Sequence, residues 1–226
     1  MIQHLLKRRE YWFILLVQVL LYFLTPFMAH NMITSVIFVV LLFGTFLTVI
    51  LAIWSARLPR FLGLAFAVVA VVNGVFGNIK GFPQETVVTN LIITCFSYSG
   101  FILVAIVSIG KDIFVKNQIT MNVILGSLCI YMFIGMFFAF LFAGLGLSIP
   151  SSIHIYDTFE PARPEALADF MYFSFSSLTT IGYGDILATH PFTKLLAAFE
   201  GVIGTLYVAV MIARLVGMTT ALKNEE

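Results

Sequence analysis

Apolar runs dominate the chain. They fall at residues 11–27, 33–54, 61–78, 87–110, 121–147 and 192–218, and short polar segments between them carry most of the charge. Each run holds roughly 17 to 27 residues, and a helix needs about 20 to cross the hydrocarbon of a bilayer. The pattern predicts six transmembrane helices. The first run follows Lys7, Arg8 and Arg9, as the core of a signal peptide would. It is long for one, and only Thr25-Pro26-Phe27-Met28-Ala29-His30 follows, without a small-residue cleavage site. It reads as a retained helix.

One polar segment breaks the alternation of span and loop. Residues 148–191 are too polar to cross, yet they hold a helix signal of their own. Pro164, Glu165 and Asp169 suit a first turn, where a missing N–H costs nothing and acids meet the positive end of the helix dipole. The apolar stretch from Phe170 to Leu178 continues it. About four turns, roughly 20 Å, enter a membrane without crossing it. Irregular backbone at that depth must face protein or a water-filled cavity. The pattern therefore requires a cavity between the last two spans. The part before it, 148–157, reads as a loop.

Composition agrees with lipid as the solvent. The chain has 226 residues, 61% hydrophobic and 10% charged, with a mean hydropathy of +1.05. Soluble domains carry roughly 25% charged residues. A net charge of +1 offers nothing to a nucleic acid. Cys95 and Cys129 lie in apolar runs as buried free thiols. No phosphate-binding glycine loop, HExxH or CxxC occurs, so the chain does not read as an enzyme. Lys and Arg set the orientation. With the N-terminus inside, the inner segments hold Lys7, Arg8, Arg9, Arg57, Arg60, Lys111, Lys116, Arg214 and Lys223, against Lys80, Arg163 and Lys194 outside. Both termini are then cytoplasmic, the protein sits in a cell membrane (plasma or bacterial inner), and the half-length helix lies on the outer side.

That helix runs into Thr179-Thr180-Ile181-Gly182-Tyr183-Gly184-Asp185. Stripping water from a cation inside a membrane requires oxygen ligands to replace it. Backbone carbonyls can do so when successive residues point them one way. That demands alternating conformations, which Gly182 and Gly184 permit. Thr180 can add its hydroxyl, Tyr183 can pack against the helix, and Asp185 can hydrogen-bond behind the strand. Glu200, the one carboxylate deep in a span, falls at the depth of the hydroxyls of Ser174, Ser176, Ser177 and Thr179. A buried carboxylate is costly and usually partnered, so Glu200 and Ser176 read as supports behind the strand.

The run Thr180-Ile181-Gly182-Tyr183-Gly184-Asp185, after a half-length helix and before a last span, resembles the selectivity filter of potassium channels in their six-span, one-pore form. The resemblance is strongest over residues 168–217. It implies an all-α membrane protein: six transmembrane helices, a re-entrant pore helix and a filter, assembled as a homotetramer because one chain supplies one strand. Potassium would bind the carbonyls of Thr180, Ile181, Gly182, Tyr183 and Gly184 and the Thr180 hydroxyl, with no other cofactor. The last span would bend at Gly204 or Gly201, and close helix packing at Gly204 is the near-equal alternative. Val208, Met211, Ile212 and Leu215 recur below at helical spacing and are candidates for an inner constriction. The domains expected are a four-helix unit over 1–118, a pore unit over 119–218 and a short tail over 219–226.

The four-helix unit resembles a voltage-sensor domain without its charges. Residues 87–110 hold no Lys or Arg, and the second and third runs hold no Asp or Glu. With no gating charge the membrane field does little work on it, so no conventional voltage sensing is expected. Outside, Asp157, Glu160, Glu165, Asp169 and Asp185 outnumber Arg163 and Lys194 and would concentrate cations at the mouth. Arg214 should snorkel to the inner interface. A weakly selective cation channel and a non-conducting subunit of a partner channel fit the same pattern.

Overall fold

Prolines and polar caps punctuate the helices. A computed structural model describes residues 10–27, 44–45, 57–77, 83–115, 120–149, 151–155 and 166–223. Helix α1, Glu10–Leu24, ends before Thr25-Pro26 in a single 3-10 turn, Thr25–Phe27. A proline ring disfavours helical geometry at the residue before it, and the Thr25 hydroxyl donates to the Leu21 carbonyl at 2.7 Å. Helix α2 is Arg57–Gly77 and α3 is Gln84–Val115. Helix α4, Met121–Ser148, starts at Thr120, whose hydroxyl accepts from the Val123 N–H. Helix α5 is the half-length Ala166–Leu178, and α6 is Pro191–Lys223. Proline at its first position and the His190 Nδ1, which accepts from the Phe192 N–H at 3.2 Å, begin α6.

Among the described residues, three helices are long and apolar enough to cross a membrane: Glu85–Val115, Met121–Ser148 and Pro191–Gly217. Tyr11–Phe27 and Phe61–Ala70 are shorter apolar helices. Of the expected second span, only Gly44 and Thr45 are among the described residues, and Asp157, Glu160, Arg163, Pro164 and Glu165 are not. The protein is helical and membrane-embedded in character, with Trp12, Phe61, Leu103, Phe199 and many other large apolar side chains exposed.

Several bounds differ from the sequence reading: α2 begins at Arg57, α6 runs on to Lys223, and two further differences bear on the packing. The fourth run was expected to end at 110, but α3 continues to Val115. Packing pulls the extra turn in: Ile113 is fully buried, and Asp112 accepts from the Tyr11 hydroxyl of α1 at 2.7 Å. The expected loop 148–157 contains a strand, β1, Ile153–Ile155. It pairs antiparallel with β2, Ile186–Ala188, in the register Ile153↔Ala188, His154↔Leu187, Ile155↔Ile186. Three residues are too few to show a strand period, and the partner lies on the far side of α5. The ribbon has a clear purpose. The Ser152 carbonyl beside it accepts from the N–H of Thr189, the N–H of His190 and the Thr193 hydroxyl, which fixes the start of α6 to the end of α4.

Helix α4 is the hub. Helices α1, α3, α5 and α6 all pack against it, and α2 packs on α3. It is buried on most sides, with Phe133, Met136, Phe138, Phe140 and Phe142 in the core. Phe142 meets Phe173 of α5 edge-on at 4.9 Å. Tyr22 of α1 meets Phe175 of α5 at 4.9 Å in the same manner. The half-length helix is thus held from two sides, and its C-terminal end, where the candidate site begins, is fixed in place.

Candidate functional site

Backbone geometry builds the site. Positive φ recurs at every second residue: 59° at Thr180, 58° at Gly182 and 81° at Gly184. The glycines adopt it freely. Thr180 does not, since a β-branched residue there is a genuine outlier. The helix end behind it explains why it stays. The Ile181 N–H donates to the Ser176 carbonyl at 2.9 Å, and the Gly182 N–H donates to the same oxygen at 3.3 Å. The Tyr183 N–H donates to the Ser176 hydroxyl at 3.4 Å. All the peptides described are trans. In a trans peptide the N–H and the preceding C=O point opposite ways. Three N–H groups turned toward Ser176 therefore send the carbonyls of Thr180, Ile181 and Gly182 to the opposite side.

Side chains alternate in the same way. Thr180 and Gly182 face a groove of about 580 Å³, bounded by Ala198, Gly201 and Thr205 of α6. Thr179, Ile181 and Tyr183 face a rear cavity of about 490 Å³, shared with Tyr22 and Phe175. Tyr183 stacks on Tyr172 of α5, with ring centroids 5.8 Å apart and planes 9° apart. Asp185 lies beside the Tyr172 hydroxyl, and its Oδ1 accepts from the Ile186 N–H at 3.1 Å. One chain leaves the strand largely uncovered, with Ile181 55% and Tyr183 67% exposed. A strand with its carbonyls aligned along an open groove can replace water around a cation on one side only.

Helix α6 presses a single stripe against the rest of the chain: Glu200, Gly204, Tyr207, Met211 and Arg214, spaced four, three, four and three. Glu200 is fully buried, and its Oε1 lies 2.5 Å from the Ser174 hydroxyl of α5. A β carbon at Gly204 would stand 2.1 Å from the Leu178 carbonyl oxygen. The Tyr207 hydroxyl donates to the Ser127 carbonyl of α4 at 2.7 Å.

Arg214 reaches across to the end of α3. It donates from Nη2 to the Ile113 carbonyl at 2.6 Å and lies 4.6 Å over the Phe114 ring. The last carbonyls of α3 lack helical partners and carry the negative end of its dipole, so a guanidinium suits them. Tyr172, Tyr207 and Arg214 were missed from sequence as partners. The polar atoms of Tyr207 and Arg214 are legible only as part of the inward stripe.

One further expectation changes. The stripe puts Met211, 6% exposed, in the chain's own core, so of the constriction candidates it does not face the groove. Val208 and Ile212 remain exposed and Leu215 is half-buried. Helix α6 is also unbroken across Gly201 and Gly204. In this conformation Gly204 packs closely on Leu178.

With this geometry in view, residues 128–221 match the family model described as ion channel, which takes in most of α4, the whole of α5, the strand and nearly all of α6. No curated protein and no solved structure matches the chain.

Proposed function

We propose that the chain is one quarter of a homotetrameric, potassium-selective pore, a reading supported by the match of residues 128–221 to the ion channel family model. The observation that carries this reading is the positive φ at Thr180, Gly182 and Gly184, with the intervening N–H groups turned back on Ser176. Four such strands around one axis would form stacked rings of carbonyl oxygens. A dehydrated potassium ion would take ligands from Thr180, Ile181, Gly182 and Tyr183, and the Thr180 hydroxyl would close the inner end. Asp169 and Asp185, with the acids outside the described residues, would draw cations to the outer mouth. The protein would sit in a cell membrane with both termini cytoplasmic. Helix α3 carries Lys111 as its only cation, one residue past the expected end of the span, so gating by a charged helix is not part of the reading.

Potassium and sodium flux from liposomes holding the purified protein tests the proposal. Potassium flux that exceeds sodium flux and is blocked by barium is expected. Equal fluxes would make it a weakly selective cation channel. No flux in any condition would favour a non-conducting subunit.

Gating gives a separate prediction. Arg214 ties the inner end of α6 to the end of α3, and a charge-assisted hydrogen bond is worth about 1.5–3 kcal/mol. If the tie exists in one gating state only, Arg214→Leu should shift the open–closed equilibrium by about tenfold or more. Arg214→Lys should shift it less. Single-channel recordings in planar bilayers measure this, and an unchanged open probability in Arg214→Leu would show that the contact does not participate in gating.

A further inference from the structure

We infer that Glu200 is a neutral, protonated carboxyl, and that its hydrogen completes a relay holding the pore helix between α6 and α4, which makes it a positioning residue for the filter. Hydrogen counting carries the inference. Ser174 is fully buried, and its hydroxyl touches two oxygens, the Gly135 carbonyl of α4 at 2.7 Å and Glu200 Oε1 of α6 at 2.5 Å. A serine hydroxyl has one hydrogen. The Gly135 carbonyl has none, so Ser174 must donate to it. The hydrogen in the Ser174–Glu200 contact then belongs to Glu200. The order is Glu200 Oε1–H to Ser174 Oγ–H to Gly135 O, one donor and one acceptor at each contact. With an ionised Glu200, one of the two contacts would be a pair of oxygens with no hydrogen between them.

The surroundings agree. Glu200 Oε2 is buried without a hydrogen-bond partner. Among the described residues no Lys, Arg or His pairs with Glu200. In a neutral acid Oε2 is a carbonyl oxygen, and leaving one unpaired costs about 1–3 kcal/mol. A carboxylate buried with a single partner costs several kcal/mol. Serines in helices usually bond back to their own preceding turn. Ser174 instead spends its hydrogen on α4, which ties three helices together two residues before Ser176, the residue that holds the filter N–H groups.

This inference rests on the channel reading only for its consequence, so its test has two arms. The first compares infrared spectra of the wild-type protein in lipid with those of Glu200→Gln at neutral pH. A protonated-carboxyl C=O band that shifts in D2O and disappears in Glu200→Gln is expected. Loss of a carboxylate band instead would overturn the inference. The second arm compares potassium flux. Glu200→Gln keeps a neutral donor through Nε2 and should conduct within a few-fold of wild type. Glu200→Ala should conduct about tenfold less or worse, the effect of losing one buried hydrogen bond. Equal impairment of the two variants, or no impairment of Glu200→Ala, would refute the relay. If wild type conducts nothing, the channel reading fails, while the infrared arm still decides the protonation.

Discussion

Gly204→Ala is expected to abolish potassium flux and to leave little assembled tetramer. Taken alone, the helix argues the reverse, since alanine is about 1 kcal/mol better than glycine in a helix interior. The contact decides it. The new β carbon would stand 2.1 Å from the Leu178 carbonyl oxygen and 2.9 Å from Leu178 Cδ1. A side chain can rotate away from such a clash, but a backbone oxygen cannot. Overpacking of this kind typically costs about 1–3 kcal/mol, and more when backbone must shift. Every chain of a symmetric assembly would incur it. The element displaced is the last residue of α5, two positions before Thr180, so the strain reaches the strand at Thr180–Gly184 directly. Gly201→Ala is the natural comparison: its β carbon would stand 3.2 Å from the Ser177 carbonyl oxygen and 3.7 Å from Thr180 Cγ2, a tight but adjustable fit. Flux from liposomes and tetramer yield by size-exclusion chromatography should both rank Gly201→Ala far above Gly204→Ala. Intact tetramers of Gly204→Ala that differ from wild type only in open probability would mean that the glycine is a hinge and that the close contact is not decisive.

Gly204, which fits a bend and close packing equally well from sequence and meets Leu178 in the structure, shows what sequence could and could not supply. Apolar run lengths marked α4 and α6 closely. The half-length α5 was visible because its polar flanks and its acids at one end have no other use. The strand at Thr180–Gly184 stood out because glycine at alternate positions is what a one-sided row of carbonyls needs. Facing was the harder quantity. The sequence places Val208, Met211, Ile212 and Leu215 along one helix, but apolar residues suit lipid, a groove and a core equally, so no pattern of hydrophobicity tells them apart. The polar members of the inward stripe, Glu200, Tyr207 and Arg214, would have fixed the facing, because a membrane forces polar atoms toward protein. The ribbon between Ile153–Ile155 and Ile186–Ala188 and the positive φ of Thr180 are both imposed from outside the local sequence, by a partner strand and by the Ser176 carbonyl.

At Gly182 the same addition of one carbon should cost selectivity for a different reason. Among the described residues of its own chain, no atom lies within 4 Å of where its β carbon would stand, so Gly182→Ala displaces none of them. Its φ of 58° is the obstacle. An L-residue in this region is unfavourable by about 1–2 kcal/mol, or roughly 4–8 kcal/mol over four chains, beside the strain already held at Thr180. Relief requires φ to turn negative. That rotates the peptide between Ile181 and Gly182, breaks the Gly182 N–H bond to the Ser176 carbonyl and swings the Ile181 carbonyl away from its neighbours. One ring of ligands would be lost while α5 and α6 keep their packing. The expected result is therefore an assembled tetramer in which potassium flux falls at least about tenfold and the preference over sodium disappears, in contrast to the assembly failure expected for Gly204→Ala. Gly217→Ala supplies the control: its β carbon also meets nothing within 4 Å, and its φ is not positive, so it should behave as wild type. Parallel potassium and sodium flux measurements on the three proteins decide the matter. If Gly182→Ala still separates the two ions as wild type does, ion selection does not depend on the alternating backbone at Thr180, Gly182 and Gly184.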